Sequence, residues 1–535
     1  MNYLDIIIIV VYSAGLLGLG YFFKGQKDTK DYFLGGKSFG WFELGLSTMA
    51  TQLSAISFIS ASAFVGIRKG GGLQWLSYEF AVPIAMILLI VVIMPKIYGA
   101  GITSIYEYLE RRFGSSTRVI ISIVFQFSRA FATAIMIYAV ALILSAVFSI
   151  PIWATLLITG VITLIYSYQG GMKAVVWGDA IQMVIIFIGI LVCLFYGLDK
   201  LGGWDVFLES VDRSRLDVVN FDDWGISLNA DEKSAKGNEF GFWPMLLGGL
   251  FLYMSYYGCD QSQAQRALSA RNFGQVKRML LFNGLMRFPI TVCYCMMGLV
   301  IGTLAMSEPE FLAKIPADQP DRLMPLFIAN YLPHGILGLL IVAILSAAMS
   351  SLSSAINSLS AATMEDLIYR NKKAESDEAL ATKKLRYSKY LSLAWGVACI
   401  IVAFFSGQIA DTVIEAINKV GSLFYGPILA TFLLALTTKK TNGIGMNAGL
   451  LSGVGVNLIL WLFFIDNVFW FWWNAIGGIV TMAIALIVSL LIGQGQSGNS
   501  ETRNDQKKWL SLENLILLVY FVVIVAFSIM LPQFF

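Results

Sequence analysis

Charge is what this chain has least of. Only 13% of its 535 residues are Asp, Glu, Lys or Arg, about half the share of a soluble domain. That excludes an ordinary cytosolic, secreted, fibrous or disordered protein. A net charge of +3, thinly spread, leaves no footprint for nucleic acid. His334 is the one histidine, so a multi-histidine metal centre is excluded. The five cysteines (Cys193, Cys259, Cys293, Cys295 and Cys399) lie in or beside apolar runs. They read as small hydrophobes, not as a disulfide framework. There is no GxSxG elbow and no segment long enough for a soluble signalling domain, which leaves little basis for a membrane hydrolase or a sensor. A channel stays open as an alternative, and saturable, stoichiometric flux would separate a carrier from a pore.

What is abundant is apolar length. Hydrophobic residues make up 57% of the chain, with 49 glycines against 12 prolines, which suits helices that pack closely and break locally in a bilayer. Fourteen runs read as membrane helices: 3–23, 41–67, 73–98, 119–150, 152–168, 174–198, 241–263, 276–306, 335–369, 389–406, 421–437, 442–464, 469–493 and 513–531. The first lacks a basic leader and a cleavage site and reads as a retained helix. With the N-terminus outside, 24 of the 37 basic residues, Arg266 among them, fall in inside loops and ten in outside loops, a positive-inside bias. The expectation is a multi-pass plasma-membrane protein, in a bacterium the inner membrane, with both termini extracytoplasmic and lipid around it. No obligate protein partner is implied. Segments 370–388 and 494–512 read as polar linkers.

Polar groups inside such runs are functional candidates, because hydrocarbon penalises them. Four places stand out. Thr51, Gln52, Ser54 and Ser57 put polar side chains on more than one face of run 41–67. That fits a discontinuous helix lining a site, or hydroxyls bonded back to their own helix. Ser350, Ser351, Ser353 and Ser354 crowd five residues of run 335–369; neutral oxygens of this kind suit a hard cation, naturally sodium, or a small-residue seam. Asp179 is either an interfacial acid or a carboxylate offset by a cation. Arg129, about ten residues into a long span, either meets an anionic solute in a two-point fork or pairs with Glu79 or carbonyls of another helix. Tyr78-Glu79 and the stretch Tyr253–Gln261 add aromatic hydroxyls that suit an interfacial belt or a solute surface.

Several stretches, in order, resemble the sodium/solute symporter family, which includes the human solute carrier family 5 members. GGMKAVVWGDAIQ is similar to its fifth core helix, YYGCDQSQAQRALSAR to its sixth and the following loop, SSLSSAINSLSAATMEDLI to its eighth and NKVGSLFYGPILATFLL to its tenth. Similarity covers roughly 5–535. The resemblance implies an all-α polytopic membrane protein with a five-plus-five inverted repeat and broken first helices in each half. The expected division is 1–40 (an extra helix and loop), 41–198 (first repeat), 199–240 (an acidic outer loop), 241–437 (second repeat) and 438–535 (peripheral helices).

The resemblance also implies sites. A first sodium ion would use carbonyls of Ala50, Leu53 and Ala347 and hydroxyls of Ser350 and Ser351. A second would use Asp179, Ser350, Ser353 and Ser354. The solute would lie near Gln52, Ser54, Ser57, Tyr78, Glu79, Arg129, Tyr256, Tyr257 and Asn418. Sugar-binding bacterial members carry a lysine where this chain has Leu285 and a glutamine where it has Ser57, departures that weigh against a hexose. Sialic-acid-transporting relatives have an arginine in the helix that holds Arg129. The expected function is sodium-coupled import of a small organic solute by alternating access, anionic (a carboxylate, sugar acid or vitamin-like acid), with a neutral sugar or polyol as the alternative. The partners are that solute and sodium, and no enzymatic chemistry is expected.

Overall fold

The computed structural model describes residues 2–23, 25, 29–53, 55–148, 150–226, 240–369, 378–406, 412–493 and 509–535. Among these residues the chain is helical, with two isolated β-bridges and no strand. Among the described residues each of the expected runs falls mainly on helix, which does not by itself make fourteen crossings. By length and apolar content, eight helices among the described residues can each cross a membrane, and a bent pair makes a possible ninth.

The first half begins with α1 (Tyr3–Phe22). Next come α2 (Trp41–Gln52) and α3 (Ala55–Gly66), bent by 52° across the break between them. This is the polar segment flagged above. α2 stops at Leu53, whose ψ of 80° leaves the helical region. Leu73–Gly99 forms α4, which opens as a 3-10 helix and carries a π turn. α5 (Tyr106–Phe113) and α6 (Ser115–Phe148) follow. The two runs expected at 152–168 and 174–198 are two helical segments that meet at a kink at Gly171, together labelled α7 (Ile152–Leu201). Gly171 has φ +55°, and a Cβ there would meet the carbonyl of Tyr32 at 2.9 Å, so only glycine suits the turn.

The second half repeats the broken motif. α8 (Gly249–Cys259) follows a π turn at Pro244–Gly248, and α9 (Gln261–Leu268) resumes after Asp260. Asp260 is extended at φ −91°, ψ 125°, and its carboxylate caps α9 by accepting from the Ser262 amide at 2.8 Å, the usual role of an N-cap aspartate. Then come α10 (Phe273–Ser307), α11 (Leu323–Tyr331), α12 (Ile336–Ala362) and α13 (Glu378–Ala403). α14 (Val413–Ser422), α15 (Tyr425–Thr437), α16 (Gly443–Phe463), α17 (Phe471–Ile492) and α18 (Leu512–Met530) follow.

Packing brings the halves together. α12 lies on α7 and also touches α2 and α3, while α10 lies on α3. The α3–α10 crossing is built from Ser62 and Gly66 on one helix and Gly298 and Gly302 on the other. A Cβ added at Gly66 would lie 2.5 Å from the Gly298 carbonyl, and one at Gly298 would lie 2.5 Å from Ser62 Cα. The backbones therefore touch, the small-residue packing expected where lipid supplies no hydrophobic drive between helices. α1 is tied to α12 at one end. The fully buried Asp5 accepts from the amides of Gly335 at 2.7 Å and Gly338 at 3.1 Å, and lies 3.0 Å from His334 Nδ1.

Candidate functional site

Residues on both sides of the first helix break, together with α8 ahead of the second, line a cavity with about 80 Å³ open to the centre of a water-sized sphere. Thr51, Gln52, Ile56 and Ser57 line it from the first break, Trp75 and Tyr78 from α4, and Arg129, Ala132 and Met136 from α6. Leu252 and Tyr256 reach it from α8, Arg287 and Tyr294 from α10, Ile414, Ile417 and Asn418 from α14, and Tyr425 from α15. Of the expected solute residues, Gln52, Ser57, Tyr78, Arg129, Tyr256 and Asn418 are therefore gathered here. Tyr78 Oη donates to Asn418 Oδ1 at 3.2 Å.

Two expected residues stand behind the wall. Tyr257 is not among the lining residues; its hydroxyl donates to Gln52 Oε1 and orients that amide. Glu79 is fully buried and pairs with Arg287, so the pairing of Glu79 with Arg129 left open above does not occur. Arg129 instead donates from Nη2 to Ser262 Oγ at 2.6 Å, stands 3.6 Å from Asp260 and lies over the Tyr256 ring at 5.6 Å. Its Nε has no partner among the described residues. Arg129 thereby grips the second helix break while facing the cavity. Ser54 lies outside the described residues.

The expected sodium positions sit along α2, α7 and α12. Ala50 and Leu53 are buried at the C-terminal end of α2, where a helix runs out of in-helix partners for its last carbonyls. The side chains of Ala347, Ser350 and Ser351 lie outside the described residues. Asp179 is 1% exposed and so lies inside the helix bundle. Its Oδ2 accepts from Ser47 Oγ at 2.6 Å and from Arg266 Nη2 at 2.7 Å. The same Nη2 donates to Thr51 Oγ1 at 2.5 Å and to Ser354 Oγ, and Arg266 Nε donates to Ser47 Oγ at 2.7 Å. Arg266 Nη1 donates to the Ser262 carbonyl at 2.5 Å.

This corrects the sequence reading of Arg266. It is not a cytoplasmic loop charge but a buried side chain on α9, 1% exposed. Its guanidinium stands among oxygens expected to hold the second sodium ion. The signal was the QR step of the DQSQAQR run; hydropathy missed it because Arg266 lies just past the apolar stretch.

An ion pair ties the end of α3 to α14. Arg68, beyond α3, pairs with Glu415 of α14 at 2.6 Å, and Thr412 Oγ1 donates to the same carboxylate at 2.6 Å. Asp321, between α10 and α11, accepts from the amide of Val413 at 2.8 Å and so caps α14. Burial pushes its carboxyl up to about 6, with nearby Glu415 acting in the same direction. Because the folded state keeps this proton to a higher pH than the unfolded chain does, Asp321's contribution to stability falls as pH rises from about 4 to about 6. Thermal unfolding should show this: the wild type should lose stability relative to Asp321→Asn across that window, by at most about 1.4 kcal/mol per pH unit. Parallel curves would refute it.

A bundle with two interrupted helices around a central polar cavity is the architecture of a secondary transporter. The sequence model described as "Sodium:solute symporter family" matches residues 32–453, and the chain belongs to that family. It is 34% identical over 464 residues to the human sodium/iodide cotransporter, covering 85% of this chain and 68% of that protein. It is 32% identical over 462 residues to sodium-coupled monocarboxylate transporter 1 of Xenopus laevis, covering 85% of this chain and 71% of the relative. A solved sodium-coupled sialic acid symporter shares the fold, with a TM-score of 0.80, 24% identity and coverage of 93% and 99%. The protein is thus a multi-pass sodium-coupled symporter and not an enzyme.

Proposed function

We propose that this symporter carries a small organic anion into the cell, with sodium bound at the α2 break and along α12. The observation that supports the charge sign is the make-up of the cavity wall. Two guanidiniums, Arg129 and Arg287, line it, whereas their carboxylate partners, Asp260 and Glu79, do not. An anion therefore meets donors first and acids only behind them. The iodide and monocarboxylate relatives carry anions as well.

In this reading sodium orders the α2–α3 break against α12 and so completes the solute pocket. Coupling is reciprocal: sodium raises solute affinity, and solute raises sodium affinity. The repeats at 41–198 and 241–437 then rock about the bound pair, with both termini extracytoplasmic in keeping with the basic bias. Proteoliposomes given an inward sodium gradient should accumulate labelled small anions above equilibrium, and replacing sodium by potassium should abolish it. Ser353→Ala should raise the sodium concentration needed. Uptake indifferent to sodium would sink the proposal.

A further inference from the structure

Glu79 is engaged within the protein through both carboxylate oxygens. Its Oε1 accepts from Arg287 Nε and Thr291 Oγ1, each at 3.0 Å, and its Oε2 accepts from Arg287 Nε and Tyr253 Oη, each at 3.0 Å. Those contacts engage both carboxylate oxygens through three donors, with the Arg287 Nε–H shared between the two oxygens and the Thr291 hydroxyl also 3.0 Å from the Arg287 carbonyl. The acid is fully buried and does not line the cavity.

Arg287 is the reverse case. It is 5% exposed and lines the cavity, yet only its Nε edge is engaged. Among the described residues, Nη1 and Nη2 donate to no protein acceptor. A guanidinium clamped on one edge presents its other donors as a fixed fork, and that fork matches a carboxylate in two-point geometry. Arg129 is placed differently, because its Nη groups are turned to Ser262 and Asp260. Ile56, Leu252 and Ile417 form apolar wall of the same cavity, which suits a short hydrocarbon tail. A monatomic halide would leave part of the fork unmatched, and a neutral polyol would forgo the charge-assisted bonds, roughly twice as strong as neutral ones.

We infer that Arg287 is the residue that binds the solute, that Glu79 is its positioning residue, and that the solute is a carboxylate with a short apolar tail. This rests on the transport reading above and deepens it. A carboxylate entering the fork gains two parallel N–H···O bonds with little reorganisation, since Glu79, Tyr253 and Thr291 already hold the guanidinium in place.

The test is uptake into proteoliposomes of the full chain under a sodium gradient, with labelled acetate, pyruvate, lactate, iodide and glucose as probes. The wild type should take up at least one of the carboxylates saturably. Arg287→Gln should raise its KM by about 10–100-fold, the effect of losing charged hydrogen bonds. Arg287→Lys keeps the charge and the pairing with Glu79 but not the fork; it should raise KM by about tenfold, and it carries the test if the glutamine variant does not fold. Glu79→Gln should raise KM while Vmax stays within about twofold, the split expected when only solute binding loosens. Sodium-driven uptake of iodide or glucose alone, or a KM unmoved by both Arg287 variants, would overturn the inference and leave the symport reading standing. Uptake of every probe without sodium dependence would overturn the symport reading itself.

Discussion

Arg266→Gln is expected to lower stability by about 3–5 kcal/mol, the cost of leaving one member of a buried ion pair alone. Both partners are 1% exposed, so water cannot take over the lost contacts. Ser47, Thr51 and Ser354 would lose their shared donor as well. A sodium ion supplies the same unit of positive charge to the same oxygens, so sodium should recover part of the loss. The thermal unfolding temperature of Arg266→Gln should therefore rise more on exchanging potassium for sodium than that of the wild type. Adding Asp179→Asn should remove the excess, because the neutral amide no longer needs a cation. Equal sodium shifts in wild type and Arg266→Gln would show that the guanidinium and sodium do not share the Asp179 position.

The second large effect is expected on transport. Arg129→Gln should reduce initial uptake about 100-fold, a loss of about 2.8 kcal/mol, because it removes the charge that faces Asp260 at 3.6 Å and the donor to Ser262. The side chain does two things at once. It faces the cavity, and it holds Asp260 and Ser262 at the second helix break. Arg129→Lys should recover only part of the activity, since one ammonium cannot span both Asp260 and Ser262 in the geometry of the fork. Uptake by Arg129→Gln within about threefold of wild type would remove Arg129 from the solute path.

The two helix breaks show how far the sequence could be read. The polar stretch at 50–57 marked the first break because its hydroxyls and amide fit no single helical face. The second break sits at Asp260 in YYGCDQSQ, where a crowded polar stretch was visible but the turn itself was not. Arg129 stood out by its depth in an apolar run. Arg287 was equally deep, yet its meaning depends on Glu79, 208 residues away in sequence, and no local pattern encodes a pairing at that range. For the same reason Glu79 read as a solute contact rather than as the holder of one. Arg266 was lost to a boundary error, since hydropathy ends at the last apolar residue whereas α9 carries the chain on into the core. Ser54, Ala347, Ser350 and Ser351 remain as the sequence placed them.

The crossing of α3 and α10 has a mechanical consequence. Where Gly66 meets Gly298 and Gly302, each backbone lies against the other with no side chains interleaved. Interlocked leucines act as gear teeth: to turn past one another, every rotamer along the seam must be reset. A glycine-on-glycine contact has no teeth. It behaves as a plain bearing, close enough to hold the axes together and smooth enough to let one helix swivel on the other. The joint between an arm of the first break and the helix that carries Arg287 is therefore expected to resist separation more than rotation.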